Sequence, residues 1–489
     1  MSLQFTNQSF SRGFTFDNNH NTNYFYVKNI KRPFSAPISP KLLTVPKRKG
    51  AIDNGTEADV LQFEVRIFVL EEDKETFDSQ IDSINEWLIH EDLKELIFDD
   101  RPNRKYMARL IGETDIEDDI LNYGEATLTF LVPDGQSYED EQSVTIPPEG
   151  LNFWYEGNED TNPIFDIEFT QDSTFFTIAT PDKWTSVGSS TAIDDAREQK
   201  PRYELIDRDD MEDTVGWTSS GNQIDGGLVT GTIESDNADF FPATWGSGSG
   251  WHGPSKKRTI SEALSDFRVD MTIRSRNQSG QVGRIELYLF DENNVNMGKI
   301  ALKDTNTNEK MNQGEARLGS FGSGTYFFDN QDYKKGIWND FYGMLRIQRK
   351  GTLWHAYITQ LNQSDNYKHY FNRRDSYRLD NLPTDKLASI QVHFGAYGTR
   401  DPFPMEIRRV DTIKINDIDN EIQVPLVARA GQILTIDTAA SKVYLDGEER
   451  NDLLNRFSEW VVLTKGENQI ACYPSDIANV TMRYKVRWK

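Results

Sequence analysis

Residues 61–88 read LQFEVRIFVLEEDKETFDSQIDSINEWL. In the first ten, Leu61, Phe63, Val65, Ile67 and Val69 stand at every second position, which places one apolar row on the core face of a strand. After the acidic turn Glu71-Glu72-Asp73 the period changes. Phe77, Ile81, Ile84 and Leu88 recur at three and four residues, the stripe of an amphipathic helix. Beyond it, Leu96-Ile97-Phe98 reads as a short strand. Tyr106, Ala108 and Leu110 alternate again, as do Ala126, Leu128, Phe130 and Val132. This pattern predicts a β-rich α+β domain with one helix laid on a sheet.

Downstream the pattern is strands only. Residues 145–180 alternate most clearly at Ile164, Phe165, Asp166, Ile167, Glu168 and Phe169. Residues 186–201 (SVGSSTAIDDAREQKP) are small, polar and charged and read as a linker. A long stretch from Tyr203 to Asp419, rich in Gly, Asn, Ser and aromatics, carries short strands at 267–273, 285–290, 344–347 and 390–394 with turn signals between them. A last piece from Ile422 ends on Val480, Met482, Tyr484, Val486 and Trp488, one alternating strand. This piece and 145–185 are each small for a free-standing core. One sandwich made of both, interrupted at a loop tip, resolves the difficulty, because loop-closure entropy grows slowly with length. The predicted domains are therefore 1–144, then 145–202 with 420–489, and an inserted 203–419.

Composition narrows the function. With 78 acidic and 54 basic residues the net charge is −24, and no long Lys/Arg run offsets it. Sequence-specific nucleic-acid binding is disfavoured on that ground. Cys472 is the only cysteine, so neither an intrachain disulfide nor a Cys-based zinc site is available. The first sixteen residues lack a basic region followed by an apolar run, and no stretch approaches the roughly 20 apolar residues that cross a bilayer. The expectation is a chain made in the cytoplasm that stays soluble unless a larger particle carries it out, with no membrane partner.

The run Arg101-Pro-Asn-Arg-Lys-Tyr-Met-Ala-Arg-Leu-Ile-Gly112, followed by Tyr123-Gly-Glu-Ala-Thr-Leu-Thr-Phe130, resembles the signature of the phage distal tail protein family. So do Ala430–Asp437, Val443–Gly447 and Leu463–Ile470 before the closing strand. The resemblance covers about 1–185 and 420–489. In the middle, Gly216-Trp-Thr218 and Gly250-Trp-His-Gly-Pro254 are similar to carbohydrate-binding modules inserted in elongated distal tail proteins. The fold implied is mainly β: an N-terminal ring-forming α+β domain, a C-terminal galectin-like β-sandwich, and a jelly-roll-like β-sandwich inserted in it.

The resemblance also implies a role at the tail tip of a long-tailed phage. Six copies would form a ring as a baseplate hub, between tail tube protein and tape measure protein on one side and tail-associated lysin or fibre proteins on the other. The inserted module would hold host cell-surface polysaccharide. The large negative charge suits a lumen through which DNA slides, and edge strands of the N-terminal sheet suit a closed ring of heterologous contacts.

Saccharide recognition needs aromatic faces for pyranose rings and polar side chains for hydroxyls. The candidates are Trp245, Trp251 and His252 around a Gly-Ser loop, Trp338 and Tyr342, and Tyr370 with Arg373; Trp217 and Trp354 read as core. The strings Asp291–Asn296 and Asp304–Glu309 offer oxygen atoms for a structural calcium, but lack the Gly and distal Glu of an EF-hand and read as hairpin turns. No cofactor is implied. No His-Glu-x-x-His, phosphate-binding loop or nucleophile elbow is present, so the chain reads as a non-enzyme. The alternatives are a paired-carboxylate polysaccharide hydrolase and a hub whose insert is only a fibre-docking spacer.

Overall fold

The computed structural model describes residues 13–71, 73–112, 117–120, 123–190, 198–330, 334–418 and 423–489. More than half of the chain lies in strands, and the described residues contain one α-helix. No helix among them is long and apolar enough to cross a membrane. Most of the N-terminal segment in which a leader was sought, residues 1–12, falls outside the described residues.

The helix runs Lys74–Leu88. Asp73 caps it, its carboxylate accepting from the Thr76 backbone N–H at 2.9 Å. Phe77, Ile84, Trp87 and Leu88 are its buried face, set against strand Leu61–Leu70 and its neighbours. The sheet order is Asn19–His20, Phe14–Phe16, Lys94–Phe98, Lys105–Ile111, Tyr123–Val132, Leu61–Leu70, Tyr26–Lys31. Trp87 is the pivot of this core: it stacks on Tyr24 at 4.4 Å and donates its indole N–H to the Phe16 carbonyl at 2.7 Å.

One hairpin stands apart from that core. Strands Ile38–Leu43 and Ile52–Ala58 pair only with each other, every residue in them is exposed, and Ile38, Leu42, Leu43 and Ile52 are among its side chains.

The second core is built from chain on both sides of the insertion. Strand Ile164–Phe169 lies between Ile433–Asp437 and Ala478–Tyr484 in one sheet, and Leu151–Tyr155 pairs Gly466–Tyr473 in the other. Phe165, Ile167, Phe176, Leu434, Met482 and Leu463 fill the space between the sheets. The expected single closing strand is in fact two. Ala478–Tyr484 ends in this sandwich, and Arg487–Trp488 pairs Ser137–Tyr138, which also pairs the N-terminal sheet. Trp488 turns away because its ring takes the Arg104 guanidinium at 3.7 Å and its N–H donates to Glu139 at 3.0 Å.

The predicted linker also needs correction. Residues 184–188 complete a strand, Trp184–Gly188, paired with Phe175–Ala179, and Glu198–Lys200 runs parallel to Gln423–Pro425. Residues 191–197 lie outside the described residues. The parallel pair joins the chain entering the insert to the chain leaving it.

The third core is the inserted sandwich. Its first sheet contains Thr232–Ser235, Phe240–Thr244, Met405–Ile415, Phe267–Ser275, Tyr342–Lys350, Leu353–Asn362 and Lys368–Arg378 in that order. The second contains Gln223–Ile224, Gly227–Val229, Trp251–Gly253, Leu387–Tyr397, Gly283–Asp291, Asn296–Asp304, Gln313–Leu318 and Thr325–Asn330. Met271, Ile273, Leu287, Ile300, Leu345, Ile358 and Val392 meet between them.

Candidate functional site

The candidate site lies on the other face of the second sheet. In Gly283–Asp291, Ile285, Leu287 and Leu289 join the core, so alternation turns Arg284, Glu286, Tyr288 and Phe290 the opposite way. Register then fixes their neighbours: Glu286 stands opposite His393 and Ala301, and Tyr288 opposite Gln391 and Lys299. Glu315 and Arg317 extend these two rows. In an open sandwich such a polar face meets water. Here Glu286, Tyr288, His393, Lys299 and Arg317 are all buried.

The cover is a short hairpin. Ile224-Asp225-Gly226-Gly227 forms a two-residue turn with positive φ at Asp225 and Gly226, the geometry of a type I′ hairpin and the reason for the Asp-Gly pair. The turn folds back over the sheet and puts the Asp225 carboxylate against Arg317, which donates to both oxygens at 2.7 Å, and Lys299 at 2.8 Å. Lys299 also meets Glu286 at 2.8 Å and Glu315 at 2.6 Å. Ile224 packs on Tyr288 and Phe290 beside it.

These ion pairs fix the protonation states. Burial alone would raise the Glu286 carboxyl, but the Arg284 and Lys299 charges outweigh it and hold the group well below its ordinary value. Asp225 is lowered in the same way, burial being overcome by its Arg317 hydrogen bonds and by Lys299. Burial pushes the Tyr288 phenol well up and the His393 imidazole down. His393 Nδ1 lies 2.7 Å from Glu286 Oε2. The carboxylate can only accept, so Nδ1 carries the proton and neutral His393 presents Nε2 as an acceptor.

The side chains singled out from sequence are dispersed. Trp251 is half-buried, its ring 5.2 Å from that of Tyr397 and 4.4 Å from the Arg284 guanidinium, at the margin of the covered face. Trp245 is half-buried against the core. Tyr342 is half-buried with Arg274 at 5.5 Å from its ring. Tyr370 is exposed beside Phe371, and Arg373 lies 4.0 Å from Asp375 on the edge strand of the other sheet.

Two candidates require correction. Trp338 is fully buried, stacked on Phe328 and donating to the Phe371 carbonyl at 2.7 Å, so no ring face is open to a sugar. His252 is buried with Nδ1 3.0 Å from the Gly250 carbonyl. Trp217 and Trp354 are core residues.

The two Asp/Asn strings are turns. Asp291 accepts from the N–H groups of Asn293 and Val295, and Asp304 from those of Asn306 and Met311. Among the described residues no group of three or more His, Cys, Asp or Glu could hold a metal ion. Arg284, Glu286, Tyr288, Lys299, Arg317, His393 and Asp225 were not singled out. Their signals were an alternating strand with charged residues opposite an apolar row and an Asp-Gly turn, and neither reveals that one covers the other.

The chain matches two family models. Residues 19–132 match the phage tail protein RIFT-related domain, and residues 395–488 the C-terminal domain of the siphovirus-type tail component. The second match begins within strand Leu387–Tyr397 and so overlaps strands of the inserted sandwich. No curated protein matches.

Among solved structures, the CBM2 module of the evolved Dit of Lactobacillus casei BL23 phage J-1 is 15% identical with a TM-score of 0.40, over 45% of this chain and 99% of that one. SPP1 Dit is 21% identical with a TM-score of 0.34, over 36% and 74%. The laminarinase from Rhodothermus marinus is 12% identical with a TM-score of 0.32, over 45% and 100%. The two family matches thus liken residues 19–132 and 395–488 to domains of siphovirus-type phage tail components. Both matches lie in the mainly β fold, one before the inserted β-sandwich and the other across its last strands and the closing sandwich.

Proposed function

We propose that six copies of this chain close a ring at the tail tip and that the inserted sandwich holds host-surface polysaccharide. The domains would be 1–144 for the ring, 145–202 with 420–489 for the outward sandwich, and 203–419 for adhesion. Tail tube and tape measure proteins would meet one face of the ring, and lysin or fibre proteins the other. The observation that carries the ring is the exposed hairpin Ile38–Leu43 and Ile52–Ala58. An isolated two-stranded hairpin is marginal in water, and its uncovered Ile38, Leu42, Leu43 and Ile52 need an apolar partner. In a cyclic assembly the next copy supplies one.

Adhesion is favoured over hydrolysis by the covered face. A glycosidase needs one carboxyl that keeps a proton and a second that is free to attack or to activate water. Here Asp225, Glu286 and Glu315 are all ion-paired with Lys299, and none is left free for either role.

Negative-stain electron microscopy of the full-length protein tests the ring. Six-fold particles that revert to monomers when residues 38–58 are replaced by a short Gly-Ser linker are the expected result; monomers in both cases, and no label at the tail tip of virions, would defeat it. Binding of full-length protein to purified host-wall polysaccharide without turnover supports adhesion. Turnover would restore the hydrolase, and no binding would leave the insert as a spacer or fibre-docking platform.

A further inference from the structure

Beneath the 223–229 hairpin, Arg284 Nη2 and His393 Nε2 are buried without a hydrogen-bond partner, and the buried Tyr288 hydroxyl has only the Glu286 carboxylate beside it. Buried polar groups are nearly always paired, so an unpaired donor and an unpaired acceptor on one face call for an occupant. They sit on adjacent rows of one sheet, because Arg284 lies across from Gly395, Glu286 from His393 and Tyr288 from Gln391. Gly395 leaves room for this: a Cβ there would stand 2.6 Å from Arg284 Cγ. Arg284 Nη2 donates, His393 Nε2 accepts and the phenol does both, which is the pairing a sugar hydroxyl satisfies. The cluster comes to the surface where the half-buried Trp251 and exposed Tyr397 flank Arg284.

The remainder of the face points to acidity. Asp225 sits on a turn whose strands are two and three residues long; its carboxylate is held by Arg317 and Lys299, Ile224 packs beside it, and only the second of the two strands is paired onward, to Trp251–Gly253. If the turn lifts, Arg317 and Lys299 lose a carboxylate, and the opened face demands an anion in its place. We propose that this face is a binding site for an acidic saccharide, and that Asp225 is an internal stand-in for the ligand's acid group. A carboxylate or phosphate would bind between Arg317 and Lys299, and sugar hydroxyls would pair with Arg284, Tyr288 and His393. This rests on the insert being a polysaccharide-binding module, and adds the ligand's charge and the displaceable hairpin.

The test is calorimetric titration of full-length wild type, Asp225→Asn and Asp225→Asn/Arg284→Gln with polygalacturonate, poly(glycerol phosphate) and dextran. Asp225→Asn should bind one acidic polymer at least tenfold more tightly than wild type, and adding Arg284→Gln should reverse that gain; whichever polymer responds identifies carboxylate or phosphate. In wild-type protein the same polymer should speed deuterium exchange at residues 222–230, a readout that holds even if Asp225→Asn folds poorly. Unchanged affinity for the acidic polymers in Asp225→Asn, or slower exchange at the hairpin on binding, overturns the proposal. Dextran bound equally by all three proteins would overturn it while leaving polysaccharide binding intact. No binding of any polymer by any variant would remove both.

Discussion

Glu448→Gln takes one negative charge out of the contact between the inserted sandwich and the C-terminal sandwich. Glu448 follows the turn Asp446-Gly447, whose Gly447 carbonyl accepts from the His369 N–H at 2.9 Å. A Cβ at Gly447 would stand 2.3 Å from the Tyr367 carbonyl, so the insert's edge strand lies directly against the turn. The Glu448 carboxylate is 2.7 Å from Arg346, 3.7 Å from Arg374 and 3.9 Å from Arg268. Arg346 and Arg268 share Asp270 as their other acid. Three guanidiniums thus face two carboxylates, and the substitution leaves one. Burial works to raise the Glu448 carboxyl, but the Arg346 and Arg268 charges outweigh it and keep it well below the ordinary value.

Breaking a buried ion pair from one side costs about 3–5 kcal/mol. The introduced amide would keep one acceptor for Arg346, and Asp270 remains, so we expect about 2–3 kcal/mol, below the full one-sided cost. At roughly 2–4 °C per kcal/mol for a module of this size, that is roughly 4–12 °C in the transition of the inserted sandwich by differential scanning calorimetry. A double-mutant cycle with Arg346→Met should show strong coupling, only weakly reduced by about 0.5 M salt because the pair is mostly shielded from water. A shift below about 1 °C for Glu448→Gln, or additivity in the cycle, would show that solvent screens the contact and refute the reasoning.

Other outcomes follow from individual groups. Burial pushes His369 down to about 4. Between the ordinary imidazole value of 6.5 and about 4 the unfolded chain binds a proton that the folded chain refuses, so the stability this group contributes is present above 6.5 and is lost as pH falls through that window. His369→Gln should flatten the pH dependence of unfolding there. Trp338→Ala should cost about 3–5 kcal/mol in denaturant titration, as a cavity in the core, while Trp251→Ala should change stability by less than half that and, under the proposed adhesion role, weaken polysaccharide binding. Trp87→Ala should cost about 3–5 kcal/mol and, under the proposed ring, shift the six-fold particles to monomers in electron micrographs.

Much of this architecture was legible because local periodicity reflects burial on one face. The switch from Val69 to Phe77 marked strand and helix, and the alternation at Ile164–Phe169 marked a central strand. The resemblance at 101–130 and 430–470 pointed to the family that the two domain matches support. Trp338 was misassigned because an aromatic on or beside a strand reads the same whether its ring faces water or Phe328. Trp488 was misassigned because alternation continues through Val486 while the backbone leaves the sheet.

The sequence by itself determined the all-strand character after the helix, the mainly β fold class with one sandwich inserted in another, the acidic net charge and the lack of an intrachain disulfide among these residues. Those properties depend on residue type and on short-range spacing. Only the tertiary structure decided that Asp225 covers Lys299 and Arg317, far along the chain from it, that Glu448 closes an arginine cluster of the insert, and that His393 presents a bare acceptor inside a sheet. Each depends on long-range register and on which face a neighbouring element buries, and no local pattern encodes either.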